Sequence, residues 1–184
     1  GEFRVEFNNT TNNRHSPALD KSRSGLITTE YFVNNNITNE DANEGGEADT
    51  KYISKTVTLA EGLDAEDLRV LVTAYKPSSA NVRVYAKLLN SQDSQSIDDL
   101  EWQELSKTTN DTVSSSDEDK SDFIEFEYNL PDSVLTGSGG EYQYTNDGVT
   151  YTGYKYFRIK IVLTTSNTAK SPFLKNYRAI AVQA

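Results

Sequence analysis

The residues that could do chemistry are few and widely spaced. A Ser-His-Asp or Cys-His relay needs a base, and His15 is the single histidine, set in an Asn-rich segment whose composition makes it an ordinary surface residue. Glu125 and Glu127 alternate along one strand and stand roughly 7 Å apart, a separation that glycoside hydrolysis uses. Alternating acids on the wet side of a strand serve solubility, and no pocket signal accompanies this pair. Asp117, Glu118, Asp119 and Asp122 resemble a calcium loop, but Asp122 stands where an EF-hand needs glycine and Tyr128 where it needs glutamate. Acid density alone leaves a looser structural calcium site open, with no ligand set defined. The sequence has no cysteine, no histidine pair, no Gly-rich phosphate loop and no dinucleotide fingerprint, which removes thiolate, zinc, nucleotidyl and hydride chemistry together. The residues therefore indicate no catalytic group and no cofactor, and the chain reads as a non-enzyme.

One cluster could bind a ligand. Tyr142, Tyr144, Tyr151 and Tyr154, with Tyr156 beside them, fall within fifteen positions. Exposed rings on a sheet can stack on sugars or seat a protein partner. Alternating aromatics also stabilise each other across the two strands of a hairpin, so both readings stand at this point.

The elements that must position these groups are strands. Leu68, Val70, Val72 and Ala74 alternate with polar residues. After Lys76-Pro77-Ser78-Ser79, Val82, Val84, Ala86 and Leu88 do the same, which predicts an antiparallel hairpin. Ile53, Val57 and Leu59 predict a half-buried strand with Ser54, Thr56 and Thr58 on its wet side. Phe123 to Tyr128, the run Phe157, Ile159, Ile161, Leu163, and Tyr177 to Val182 predict further strands, and Asn146-Asp147-Gly148 a tight turn. Residues 8–15 and 34–49 are rich in Asn, Thr, Glu and Gly and predict solvated loops. Residues 91–121 predict an exposed acidic excursion with one short strand at Trp102 to Leu105, pinned by Trp102. No apolar residues recur at helical spacing over a dozen positions. The expectation is an all-β, antiparallel β-sandwich, jelly-roll-like, with about eight to ten strands and long polar loops.

Length and charge bound the rest. At 184 residues the chain suits a single domain over 1–184, burying about 70% of the surface its unfolded form exposes. Eighteen basic against 28 acidic residues give a net charge of −10, which repels nucleic acid and anionic lipid. No apolar run approaches the roughly 20 residues of a membrane span, so no membrane insertion is expected. Methionine is absent even at position 1, which suggests a domain excised from a longer polypeptide, with Gly1-Glu2-Phe3 readable as a cloning scar.

Three stretches taken in order carry a family resemblance. They are His15-Ser16-Pro17-Ala18-Leu19-Asp20 with Arg23-Ser24; Lys51-Tyr52-Ile53-Ser54-Lys55, Val57-Thr58-Leu59 and Asp67-Leu68-Arg69-Val70; and Ala74-Tyr75-Lys76-Pro77 leading to Val82-Arg83-Val84-Tyr85-Ala86-Lys87-Leu88-Leu89-Asn90. With the closing Ser171-Pro172-Phe173-Leu174-Lys175-Asn176-Tyr177-Arg178-Ala179-Ile180-Ala181, the ensemble resembles virion structural proteins of contractile-tailed bacteriophages. It resembles especially those of marine myoviruses, among tail, baseplate or fibre-associated polypeptides. The resemblance covers most of the chain outside residues 92–122 and implies no catalytic residues. It implies a structural domain on a particle surface whose partners are other virion proteins, with assembly into homo-oligomers compatible. The alternative is a carbohydrate-binding, receptor-recognition sandwich that takes a host-surface glycan on the tyrosines and a structural calcium.

Overall fold

The computed structural model describes residues 33–167 and 169–183, together with the backbone of a hairpin formed by β1 (His15–Asp20) and β2 (Gly25–Glu30). The expectations for residues 1–3, for the loop at 8–14 and for the His15 side chain lie outside the described residues. The remaining strands are β3 (Lys51–Ile53), β4 (Val57–Thr58), β5 (Asp67–Tyr75), β6 (Ala80–Leu89), β7 (Gln103–Glu104) and β8 (Ser106–Lys107). After them come β9 (Ile124–Asn129), β10 (Gln143–Asn146), β11 (Val149–Thr152), β12 (Tyr156–Thr165) and β13 (Phe173–Val182). The protein is all-β, and every recorded strand pairing is antiparallel.

Two sheets form the body. One has the order β3-β12-β6-β7, with β4 also on β12; the other has the order β13-β5-β9-β8. Period-two alternation explains how they stack. Val70 and Val72 of β5 and Phe126 of β9 supply the buried row of one sheet, and Val84 of β6 with Ile159 and Ile161 of β12 supply that of the other. Each such side chain contributes roughly 1.5–3 kcal/mol by leaving water.

The β5–β6 connection differs from the expected hairpin. β5 pairs with β13 and β9, whereas β6 pairs with β12 and β7, so Lys76-Pro77-Ser78-Ser79 is an arch from one sheet to the other. Alternation is identical in a hairpin and an arch. What selects the arch is that both apolar rows face each other across the core. Its corner is fixed by Ser115, whose hydroxyl accepts from the Lys76 N–H at 2.9 Å and whose N–H donates to the Lys76 carbonyl at 2.7 Å.

One other expectation is corrected and two are extended. The strand at 51–59 is two short pieces on β12, and its apolar Ile53 and Val57 are exposed while Ser54 is buried. Ser54 turns inward because its N–H and hydroxyl bond the backbone of Ile159, which breaks the alternation. Residues 91–121 are exposed over more than half of their length, with Trp102 buried as the expected anchor, but the segment is also built into both sheets: β7 joins one, β8 joins the other, and Asp93, Leu105 and Ser115 are buried as well. Its longest exposed run is Ser116 to Ser121. The loop expected at 34–49 is found and is largely exposed, and its inward side lies, with Trp102, over the outer face of the β12–β6 sheet. There Ala48, Tyr85, Trp102 and Val162 make a second small core. The strand count exceeds the expected eight to ten because these segments break into short pieces.

Candidate functional site

The hairpin of β10 and β11 brings part of the tyrosine cluster together. Its two-residue turn places Asp147 at φ 48° and Gly148 at φ 78°, the positive angles of a primed turn. That turn sets Tyr144 opposite Tyr151, with rings stacked at 5.4 Å. The Tyr144 hydroxyl donates to Asp93 Oδ2 at 2.8 Å and accepts from the Asn90 N–H at 3.1 Å. Asn146 Nδ2 donates to Asp93 Oδ1 at 3.1 Å, so Asp93 ties the hairpin to the end of β6.

The other two expected binding tyrosines are core residues. Tyr154 is 0% exposed and its hydroxyl donates to the Asp67 carbonyl at 2.9 Å; Tyr142 is 8% exposed and meets Tyr154 edge to face. Burial pushes both phenols well above the ordinary range. Neither ring has a face to offer a ligand. Tyr144 and Tyr151 are a cross-strand pair and Tyr142 and Tyr154 are core residues, and of the pair Tyr151 keeps a half-buried ring without a hydroxyl partner in the hairpin network.

A cleft of about 620 Å³ opens where β7 and β8 leave the two sheets. Asn81, Arg83, Gln103, Ser106, Lys107 and Ser133 line it. Arg83 holds Glu104 bidentately through one guanidinium edge, Nε to Oε1 at 2.7 Å and an Nη to Oε2 at 2.6 Å, and this carboxylate raises the Arg83 pKa further. Lys107 reaches Asp111 at 3.2 Å and lies over the Phe126 ring at 4.8 Å. Such a lining offers hydrogen bonds in both directions with balanced charge. It can recognise a polar chain, and it contains no nucleophile beside a base.

The acids that sequence reasoning considered are engaged elsewhere. Glu125 pairs with Arg178 at 2.7 Å and Glu127 with Arg69 at 3.2 Å on the open face of the β5–β9 sheet. Asp117 meets Lys170, Asp122 accepts the Ser116 N–H, and Asp119 accepts from the Ser121 N–H and hydroxyl. Among the described residues no three acids or histidines converge as a metal site.

Sequence reasoning missed a lysine cluster under the 34–49 layer. Lys160 on β12 and Lys87 on β6 occupy alternate positions that a half-exposed sheet would turn to water, yet both are buried. Lys87 donates to the carbonyls of Asn43 and Asp98, and Lys51 to those of Gly45 and Gly46. Lys160 donates to the carbonyls of Glu40 and Gly45 and to Glu40 Oε2. The available signal was the Gly45-Gly46 pair, which permits the carbonyl-inward turn, together with a tryptophan in an otherwise polar segment.

No family model, curated protein or solved structure matches the chain.

Proposed function

We propose that the chain is a non-enzymatic structural and interaction domain of a bacteriophage virion, belonging to a tail or baseplate protein, that associates through the edge of a sheet. The phage assignment rests on the sequence resemblance alone. The observation that carries the interaction role is β13. It is a ten-residue strand at the margin of its sheet, paired only with β5 among the described residues, and it leaves Phe173 and Ile180 37% and 44% exposed. A long edge with unpaired backbone groups and exposed apolar side chains is a template for another chain's strand, here that of a second copy or a neighbouring virion protein. Tyr52 and Tyr177 meet beside this edge at 5.4 Å and add aromatic surface.

Light scattering over a concentration series tests the reading. Association is expected, and Ile180→Lys is expected to abolish it without lowering the melting temperature. Association unchanged in Ile180→Lys would place the contact elsewhere.

A second reading, glycan recognition, is favoured by one feature, the polar cleft lined by Asn81, Gln103 and Ser133. A glycan array is its test, with binding expected to fall in Gln103→Ala.

A further inference from the structure

We propose that Lys160 and Glu40 are the two halves of an intramolecular isopeptide bond, formed by condensation of the Lys160 amine with the Glu40 carboxyl. The proposal is independent of the function proposed above. Both partners are removed from water, Lys160 at 0% and Glu40 at 3% exposure. Lys160 Nζ lies 3.0 Å from Glu40 Oε2, and the Ala48 N–H donates to Glu40 Oε1 at 2.7 Å. The rings of Tyr85 and Trp102 stand 4.4 and 5.1 Å from Nζ and close the site with apolar surface.

Glu40 is held there by a turn that only glycine permits. Gly46 has φ 78°, and a Cβ on it would come within 2.6 Å of the Glu40 Cα. Two charges deprived of hydration are penalised, and replacing them by one neutral amide removes the penalty. Fixing amine and carboxyl in contact also removes the entropy of bringing them together.

The step balances without any further reagent. Lys160 passes one proton to Oε2 across their hydrogen bond, leaving an amine and a carboxylic acid. Burial lowers the Lys160 pKa and so favours that neutral amine. Nζ then attacks Cδ, and the charge that develops on Oε1 faces the Ala48 N–H. The Cδ–Oε2 bond breaks, and Oε2 departs as water with a second proton from Nζ. One C–N bond forms, one C–O bond breaks, and nothing is oxidised or reduced. The product ties the 34–49 layer covalently to β12.

Intact-mass measurement of the purified chain, followed by tryptic mapping, decides the matter. The expected mass is one water below that of the sequence, with a branched peptide joining 24–51 to 159–170 and no cleavage after Lys160. Glu40→Ala is expected to restore the full mass, and Glu40→Gln to form the same amide by losing ammonia. The full sequence mass in the unaltered chain would overturn the proposal. So would a water loss that maps elsewhere, for example to a succinimide at Asp147-Gly148.

Discussion

Trp102 and the buried tyrosines are where single side chains matter most. Trp102 is 4% exposed against Tyr85 and Val162, so Trp102→Ala should cost about 3–5 kcal/mol, read from denaturant midpoints. Among the described residues its indole N–H has no acceptor, so Trp102→Phe should cost distinctly less than Trp102→Ala. The phenols set the alkaline limit. Burial raises Tyr85 to about 12 and pushes Tyr128, Tyr142 and Tyr154 upward as well. Below an unfolded phenol's pKa of about 10 both states hold these protons and the contribution is complete. Above it the unfolded chain loses protons that the native state keeps, so stability falls as pH rises toward 12. Melting temperatures across pH 9 to 12 should decline, with a tyrosinate absorbance change that coincides with unfolding. A flat profile would mean that the phenols are accessible. These burials were only half legible in the sequence. The turn at Asp147-Gly148 could be read directly, but periodicity cannot tell a tyrosine stacked on its cross-strand neighbour from one that enters the core, as Tyr142 and Tyr154 do.

At the scale of elements, the 91–121 segment behaves as part of the fold. It supplies β7 and β8, which close one side of both sheets, and it carries Trp102. Deleting 91–121 should therefore abolish cooperative thermal unfolding, whereas a short Gly-Ser replacement of 117–121 should retain it, since those residues are exposed. Equal melts for the two variants would contradict this assignment. In the β10–β11 turn, Gly148→Ala forces a side chain into φ 78° and should cost about 1 kcal/mol in thermal or denaturant melts. The strands at 68–74, 82–88, 124–128 and 157–163 were legible because apolar residues recur at every second position. The pairing of β5 and β6 with other strands was not, because an arch and a hairpin share the same pattern and the same short connection. Nor was the covering of the β12–β6 sheet, since Lys87 and Lys160 have the polarity of a wet face. Carbonyls of distant loops and, for Lys160, the Glu40 carboxylate make their burial tolerable.

The molecule as a whole is asymmetric. The β12–β6 sheet is covered on its outer face by the 34–49 layer and Trp102, while among the described residues nothing covers the outer face of the β5–β9 sheet, which carries the Arg69–Glu127 and Arg178–Glu125 pairs. Exposed pairs of this kind add little to stability, and the association proposed above would use the β13 margin of that face, where exposed Ile180 stands two positions from Arg178. A net charge of −10 opposes close approach of two copies, so association should strengthen with added salt as screening grows. Sedimentation at low and high ionic strength would show it. The all-β sandwich followed from composition and alternation, whereas the free margin depends on which strand ends each sheet and could not be read from any single stretch.

The most direct test is light scattering of the purified chain and of Ile180→Lys, with a glycan array on the same samples. The account predicts an associating chain that the substitution turns monomeric, with no saturable sugar binding. A chain that stays monomeric at every concentration and binds a glycan saturably would contradict it.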